Sequence, residues 1–181
     1  MKVVVPLADG FEEIEFTTIV DILRRAGISV VTAGIKAGPI EGSHMVKVVP
    51  DTALDKIDPD DFDGIVLPGG YPGFVNLGED VRVLKMIQTM DEKERYIAAI
   101  CGAPSVLLRA GIMEGRKATV HPAGRSEFRS DQYLDDRVVV DGNIITSKAP
   151  GTAMEFALKI VEILAGRERM KAVKEEVFAK F

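Results

Sequence analysis

A chain of 181 residues is long enough for one ordinary domain with a substantial core. With 46% hydrophobic residues, 28% charged residues and a net charge of −5, its composition is that of a soluble globular protein and excludes a disordered or membrane-embedded one. The acidic balance argues against a nucleic-acid surface, which needs a Lys/Arg stripe to displace counterions.

The N-terminal apolar run, residues 3–7, is too short and wrongly flanked for a signal peptide. No run approaches membrane-spanning length. A single cysteine rules out an intramolecular disulfide and, with no secretory signal, points to the reducing cytoplasm.

In chain order, short β-branched runs alternate with longer segments of helical period, the pattern of βαβ units around a mostly parallel sheet. Lys2–Leu7 reads as a buried strand. After the turn at Ala8, Asp9 and Gly10, Ile19, Ile22, Leu23 and Ala26 mark one face of a helix that Gly27 stops. Residues 29–33 give a second strand, and the Gly/Pro-rich residues 34–49 read as loops with a small hairpin. Gly64–Leu67 is a strand ending in Pro68, Gly69 and Gly70; residues 80–94 form a helix; Tyr96–Ile100 is another buried strand.

Cys101, Gly102, Ala103 and Pro104 follow directly and open a short helix. Residues 117–120 read as a strand leading to His121, and residues 137–146 as a hairpin turning at Asp141 and Gly142. Gly151 and Thr152 open a helix whose core face holds Ala153, Phe156, Ala157, Ile160 and Leu164, and the charged residues 167–181 read as a last amphipathic helix. No repeat or linker interrupts the series, so residues 1–181 form one domain.

Ligands of open α/β sheets bind at the carboxyl ends of the strands, so the polar groups there are the candidates. Cys101 lies between an apolar strand and a helix start, with Gly102 and Ala103 small enough for the sharp turn of a nucleophile elbow. Free cysteine is usually buried and inert, but the elbow favours a reactive thiolate, its pKa lowered by amide dipoles at the helix start. Glu12 and Glu13 read as solvated charge at the positive end of their helix. Glu15, a turn further in and on the core face, is expected to be partly buried with a raised pKa, able to hold a proton for the thiolate.

His121 is a candidate general base or acid, against the alternative of an exposed loop histidine. His44 has no partner nameable from sequence. Gly69 and Gly70 form either a plain tight turn or a bend that lets the amides of Gly70 and Gly102 converge as an oxyanion hole. Neither GxGxxG nor GxxxxGK[ST] is present, and two His with one Cys offer no metal-ligand spacing.

These residues resemble the ThiJ/PfpI superfamily, in particular its DJ-one-like branch. The matching segments are residues 7–15, 24–27, 66–70, 98–104, 119–122 and 150–157, in order along nearly the whole chain. The resemblance implies a flavodoxin-like three-layer sandwich, usually a homodimer. It implies Cys101 as nucleophile, Glu15 as its conjugate acid, His121 as the site histidine, Gly70 and Gly102 as oxyanion donors, and Gly69 and Pro150 at the pocket. Where the human branch of the family carries an arginine near the dimer contact, this chain has His44. The peptidase branch has a Cys-His pair at the elbow; here Gly102 follows Cys101, and no acidic orienter stands beside His121, so a protease triad is not supported.

The expectation is a cofactor-free enzyme acting on small aldehydes, reactive dicarbonyls or glycation adducts, of glyoxalase or deglycase type. The alternatives are a redox sensor or chaperone whose Cys101 oxidises to sulfinic acid and, ranked below it, an intracellular cysteine peptidase.

Overall fold

The computed structural model describes residues 1–181. Nine strands and six α-helices follow one another as β1 (Lys2–Leu7), α1 (Glu13–Arg25), β2 (Ser29–Gly34), β3 (Ile40–Glu41), β4 (Lys47–Val48), β5 (Thr52–Ala53), β6 (Gly64–Leu67), α2 (Gly73–Glu79), α3 (Val81–Glu92), β7 (Tyr96–Ile100), α4 (Pro104–Arg109), β8 (Val138–Asp141), β9 (Ile144–Ser147), α5 (Ala153–Ala165) and α6 (Arg167–Glu176). Seven strands form one sheet in the order β5-β2-β1-β6-β7-β9-β8, parallel except for β8, and β3 pairs with β4 as a separate hairpin. This is the flavodoxin-like α/β architecture expected.

Strand periodicity distributes the core. Val3, Val5 and Leu7 of β1 point to one side, where they meet Ile19, Ile22 and Leu23 of α1 and Phe156 and Ile160 of α5. Val4 points to the other side, with Ile65, Leu67, Ile97 and Ala99, beneath Val83 and Ile87 of α3 and Val106 and Leu107 of α4. Both faces are covered, which is why the central strands read as continuous apolar runs.

The edges differ in kind. β5 is two residues long, and β8 runs antiparallel to its only neighbour, with Val140 exposed and Asp141 at its end.

Three expectations need correction. Residues 117–120 form no strand: Ala118 makes one isolated bridge to Tyr133, and the amide of Thr119 donates to Thr146 Oγ1 at 2.9 Å. Ala118, Thr119 and Val120 are buried all the same, so the apolar run reports burial without a ladder. The hairpin turns one residue later than read, because Asp141 pairs with Ile144; Gly142 takes positive φ (60°) at the first central position, the II′ pattern. The last helix stops at Glu176 and does not reach 181.

The strand order reverses between β1 and β6. Their carboxyl ends and that of β7 therefore open one crevice, into which the chain delivers Gly70 and Cys101.

Candidate active site

Cys101 leaves β7 with φ +65°, a left-handed conformation costly for a residue with a side chain. The surrounding backbone holds it there. Its amide donates to Ser147 O on β9 at 2.9 Å, and its carbonyl accepts from the His121 amide at 2.8 Å. The elbow read from sequence is thus present, and the second bond carries His121 to the same crevice although no strand delivers it.

Glycines make the close approach possible. A Cβ on Gly69 would lie 2.6 Å from Cys101 Cβ and 2.8 Å from Glu15 Oε2, so any side chain there would separate the thiol from the carboxyl. Gly70, at φ +92°, has the Glu12 amide 2.2 Å from where its Cβ would sit. The amides of Gly70 and Gly102 both point at the Cys101 sulfur and favour negative charge on it. Both donors meet the sulfur itself, an arrangement that stabilises a thiolate.

Glu15 is 0% exposed. Its Oε2 accepts from the Gly69 amide at 2.8 Å, Oε1 has no hydrogen-bond partner, and the Cys101 thiol adjoins the carboxyl. Burial pushes the Glu15 pKa up to about 7, against the opposing pull of the Gly69 amide and the thiol.

The thiol departs from the expectation of a lowered pKa. Burial first, then the charge of Glu15 and its hydrogen bond, push Cys101 up to about 12. The amide dipoles invoked from sequence belong to a helix of only six residues, and desolvation outweighs them. Two of the three causes vanish when Glu15 is protonated, because a neutral carboxyl repels no thiolate and donates to it instead. Cys101 and Glu15 are therefore one site sharing a proton, not two independent groups.

A cavity of about 340 Å3 opens over the sulfur, lined by Gly70, Tyr71, Phe74, Cys101, Gly102, Ser105, His121, Ala123, Gly124 and Glu127. His121 Nδ1 accepts from the Ala123 amide at 3.2 Å, which places the ring proton on Nε2. No carboxylate bonds its ring, so a protease triad has no third member. Gly69 and Pro150 do not line this cavity: Gly69 packs behind Cys101, and Pro150 opens the turn before α5.

Tyr71, Phe74, Ser105 and Glu127 were not singled out from sequence. Phe74 lies on α2, a helix with two glycines and no helical apolar period; only the position of Tyr71 directly after Gly69 and Gly70 was a usable signal.

Glu12 and Glu13 are less solvated than read. Glu12 is 9% exposed and caps α1 through the Ile14 amide at 3.3 Å. Glu13 accepts from the His44 amide at 2.6 Å, from the Val46 amide at 3.4 Å and bonds His44 Nδ1 at 3.0 Å, so His44 does have a partner. The three side chains bring ligand-type atoms within 4.8 Å of one another, an arrangement that the hydrogen bonds of Glu13 account for.

The sequence profile of the DJ-1/PfpI family matches residues 1–163. Protein dj-1beta of Drosophila melanogaster is 43% identical over 97% of this chain and 95% of its own length. The glutathione-independent glyoxalase DJR-1.2 of Caenorhabditis elegans is 40% identical over 90% of this chain and 87% of its own, and the deglycase TK1284 of Thermococcus kodakarensis 36% over 91% and 99%. The structure of oxidised DJ-1 from Toxoplasma gondii superposes with a TM-score of 0.97 at 35% identity, covering 99% of both chains.

Proposed function

We infer the reaction from the premise that this chain belongs to the DJ-1/PfpI family: it is a cofactor-independent enzyme of glyoxalase or deglycase type, acting on small reactive dicarbonyls or their early adducts. The observation that carries this reading is the buried Glu15 carboxyl, its pKa raised to about 7 beside the Cys101 thiol, so that the pair shares one proton. A group with a pKa of about 7 gives and takes protons equally well at physiological pH.

The steps use the groups that line the cavity and the Glu15 carboxyl buried beside the sulfur. The Cys101 sulfur bonds to the aldehyde carbon of methylglyoxal while the carbonyl π pair moves to oxygen, which the Gly70 and Gly102 amides hold until it takes the thiol proton relayed by Glu15. Glu15, now a carboxylate, removes the hydrogen from that carbon. The electron pair forms the carbon–carbon double bond of an enediol, and the second oxygen takes a proton from His121 Nε2. Glu15 returns its proton to the second carbon while the proton of the first oxygen passes back to His121 Nε2, which gives a thioester and restores both groups. Water cleaves the carbon–sulfur bond to release lactate and the thiol. In the deglycase form the same attack falls on the carbinol carbon of an amine adduct, and the amine leaves.

Assembly as a homodimer and a cytoplasmic address belong to the same reading. Ile14, Met45, Val46 and Val49 are exposed apolar side chains around the Glu13–His44 contact, a surface that a second copy would cover. No helix is long and apolar enough to cross a membrane, and a lone thiol of this kind stays reduced in the cytoplasm.

Methylglyoxal turnover with lactate detection, run beside Cys101→Ala, tests the reaction; turnover that survives the substitution overturns it. A second reading takes the same thiol as an oxidation sensor, favoured by the relative solved in oxidised form. Intact mass after mild peroxide separates the two: two added oxygens with no dicarbonyl turnover by the reduced protein supports the sensor.

A further inference from the structure

The cavity holds more than a three-carbon dicarbonyl fills. Five heavy atoms at roughly 20–30 Å3 each, scaled from the volume share of a water molecule, occupy about 100–150 Å3. That is less than half of the roughly 340 Å3 available. The surplus has a consistent electrostatic character.

Ser105 and Glu127 flank Gly124. A Cβ built on Gly124 would lie 3.6 Å from Ser105 Oγ and 3.6 Å from Glu127 Oε1, so the missing side chain leaves two oxygens near one point of the wall. Ser105 is 6% exposed, and its hydroxyl has no hydrogen-bond partner, an expensive condition for a buried polar atom. Tyr71 stands exposed at the rim, its ring 6.3 Å from that of Phe74 and tilted 57° to it. No Lys or Arg lines the cavity. A carboxylate, an unpaired hydroxyl and aromatic faces attract a cation that carries N–H donors and repel an anion.

We propose that Ser105, Gly124 and Glu127, with the ring of Tyr71, form a subsite for a cationic nitrogen group, ammonium or guanidinium, carried a few bonds from the carbonyl that Cys101 attacks. The proposal rests on Cys101 being the reacting group, and it sets a preference for a positively charged carrier over a neutral or anionic one. The same wall repels the carboxylate of a hydroxyacid product.

The test uses matched methanethiosulfonate reagents, which differ only in the charge they bring to the thiol: 2-aminoethyl (cationic), methyl (neutral) and 2-sulfonatoethyl (anionic). The Cys101 sulfur forms a disulfide with the sulfenyl sulfur, and methanesulfinate leaves with the electron pair. Because Cys101 is the only cysteine, intact mass reads its modification alone.

Glu127→Gln is expected to lower the cationic-to-anionic rate ratio by about fivefold, the scale of one partly exposed ion pair. Ser105→Ala is expected to slow the cationic reagent by about threefold, and both variants leave the methyl reagent unaffected. A ratio unchanged by Glu127→Gln overturns the subsite. So does an equal drop in Glu114→Gln, an exposed carboxylate outside the cavity. The readout is disulfide formation, so an absence of methylglyoxal turnover overturns the proposed reaction and leaves the subsite standing, whereas intact turnover with an unchanged charge ratio overturns the subsite alone.

Discussion

Replacing Glu15 by glutamine is expected to change the stability of the protein in a way that depends on pH, with a sign set by the burial of the carboxyl. The carboxyl titrates near 4.5 when unfolded and near 7 when folded, because burial disfavours its ionised form. Between those values the folded chain holds a proton that the unfolded chain has released. Stability therefore falls as pH rises through that window and levels off above it.

A difference of about 2.5 pKa units at 1.36 kcal/mol each puts the cost near 3 kcal/mol at pH 8. Glutamine keeps the shape and an oxygen for the Gly69 amide but never ionises. Glu15→Gln is thus expected to be close to wild type at pH 4.5 and more stable by about 3 kcal/mol at pH 8, or about 6–12 °C in Tm for a chain of this size. Urea unfolding midpoints from pH 4.5 to 8, with the thiol kept reduced, measure it. A stability difference that is constant with pH, or one that favours wild type increasingly as pH rises, refutes the assignment of a proton to this carboxyl.

The same substitution is expected to lower kcat for methylglyoxal by at least about 100-fold, the scale of a lost general acid and base, so stability and turnover move in opposite directions at pH 8. Cys101→Gly is expected to be more stable than Cys101→Ala by about 1 kcal/mol, because φ +65° costs glycine nothing and alanine the full left-handed penalty; equal urea midpoints would remove the argument for strain at the elbow. Met45→Glu with Val49→Glu is expected to shift the sedimentation coefficient from that of a dimer to that of a monomer without changing the far-UV spectrum, whereas an unaltered coefficient would place the contact elsewhere.

Much of this was written in short stretches of sequence. β1, β6 and β7 were legible because they are buried on both faces and hold few polar residues, and α1 because its core face repeats at helical spacing. Cys101 was legible because a cysteine between an apolar strand and Gly102 has few other uses. The sign of its pKa was not, since sequence displays the neighbouring amides and hides the desolvation that outweighs them. Ala118 and Val120 passed for a strand because burial leaves the same apolar trace with or without a ladder. Tyr71 and Phe74, Ser105, and Glu127 come from three separate segments, and only the fold brings them round one cavity.

The two margins of the central sheet carry a consequence for how the protein behaves when crowded. One margin, β5, offers too few unpaired amides to template another strand, and the other, β8, ends in a carboxylate that a stacked copy would have to meet in like charge. Open-ended lateral growth of the sheet into fibres finds no landing point at either side. The proposed contact between two copies, through the loop and helix surface around Ile14 and Met45, would by contrast be self-limiting.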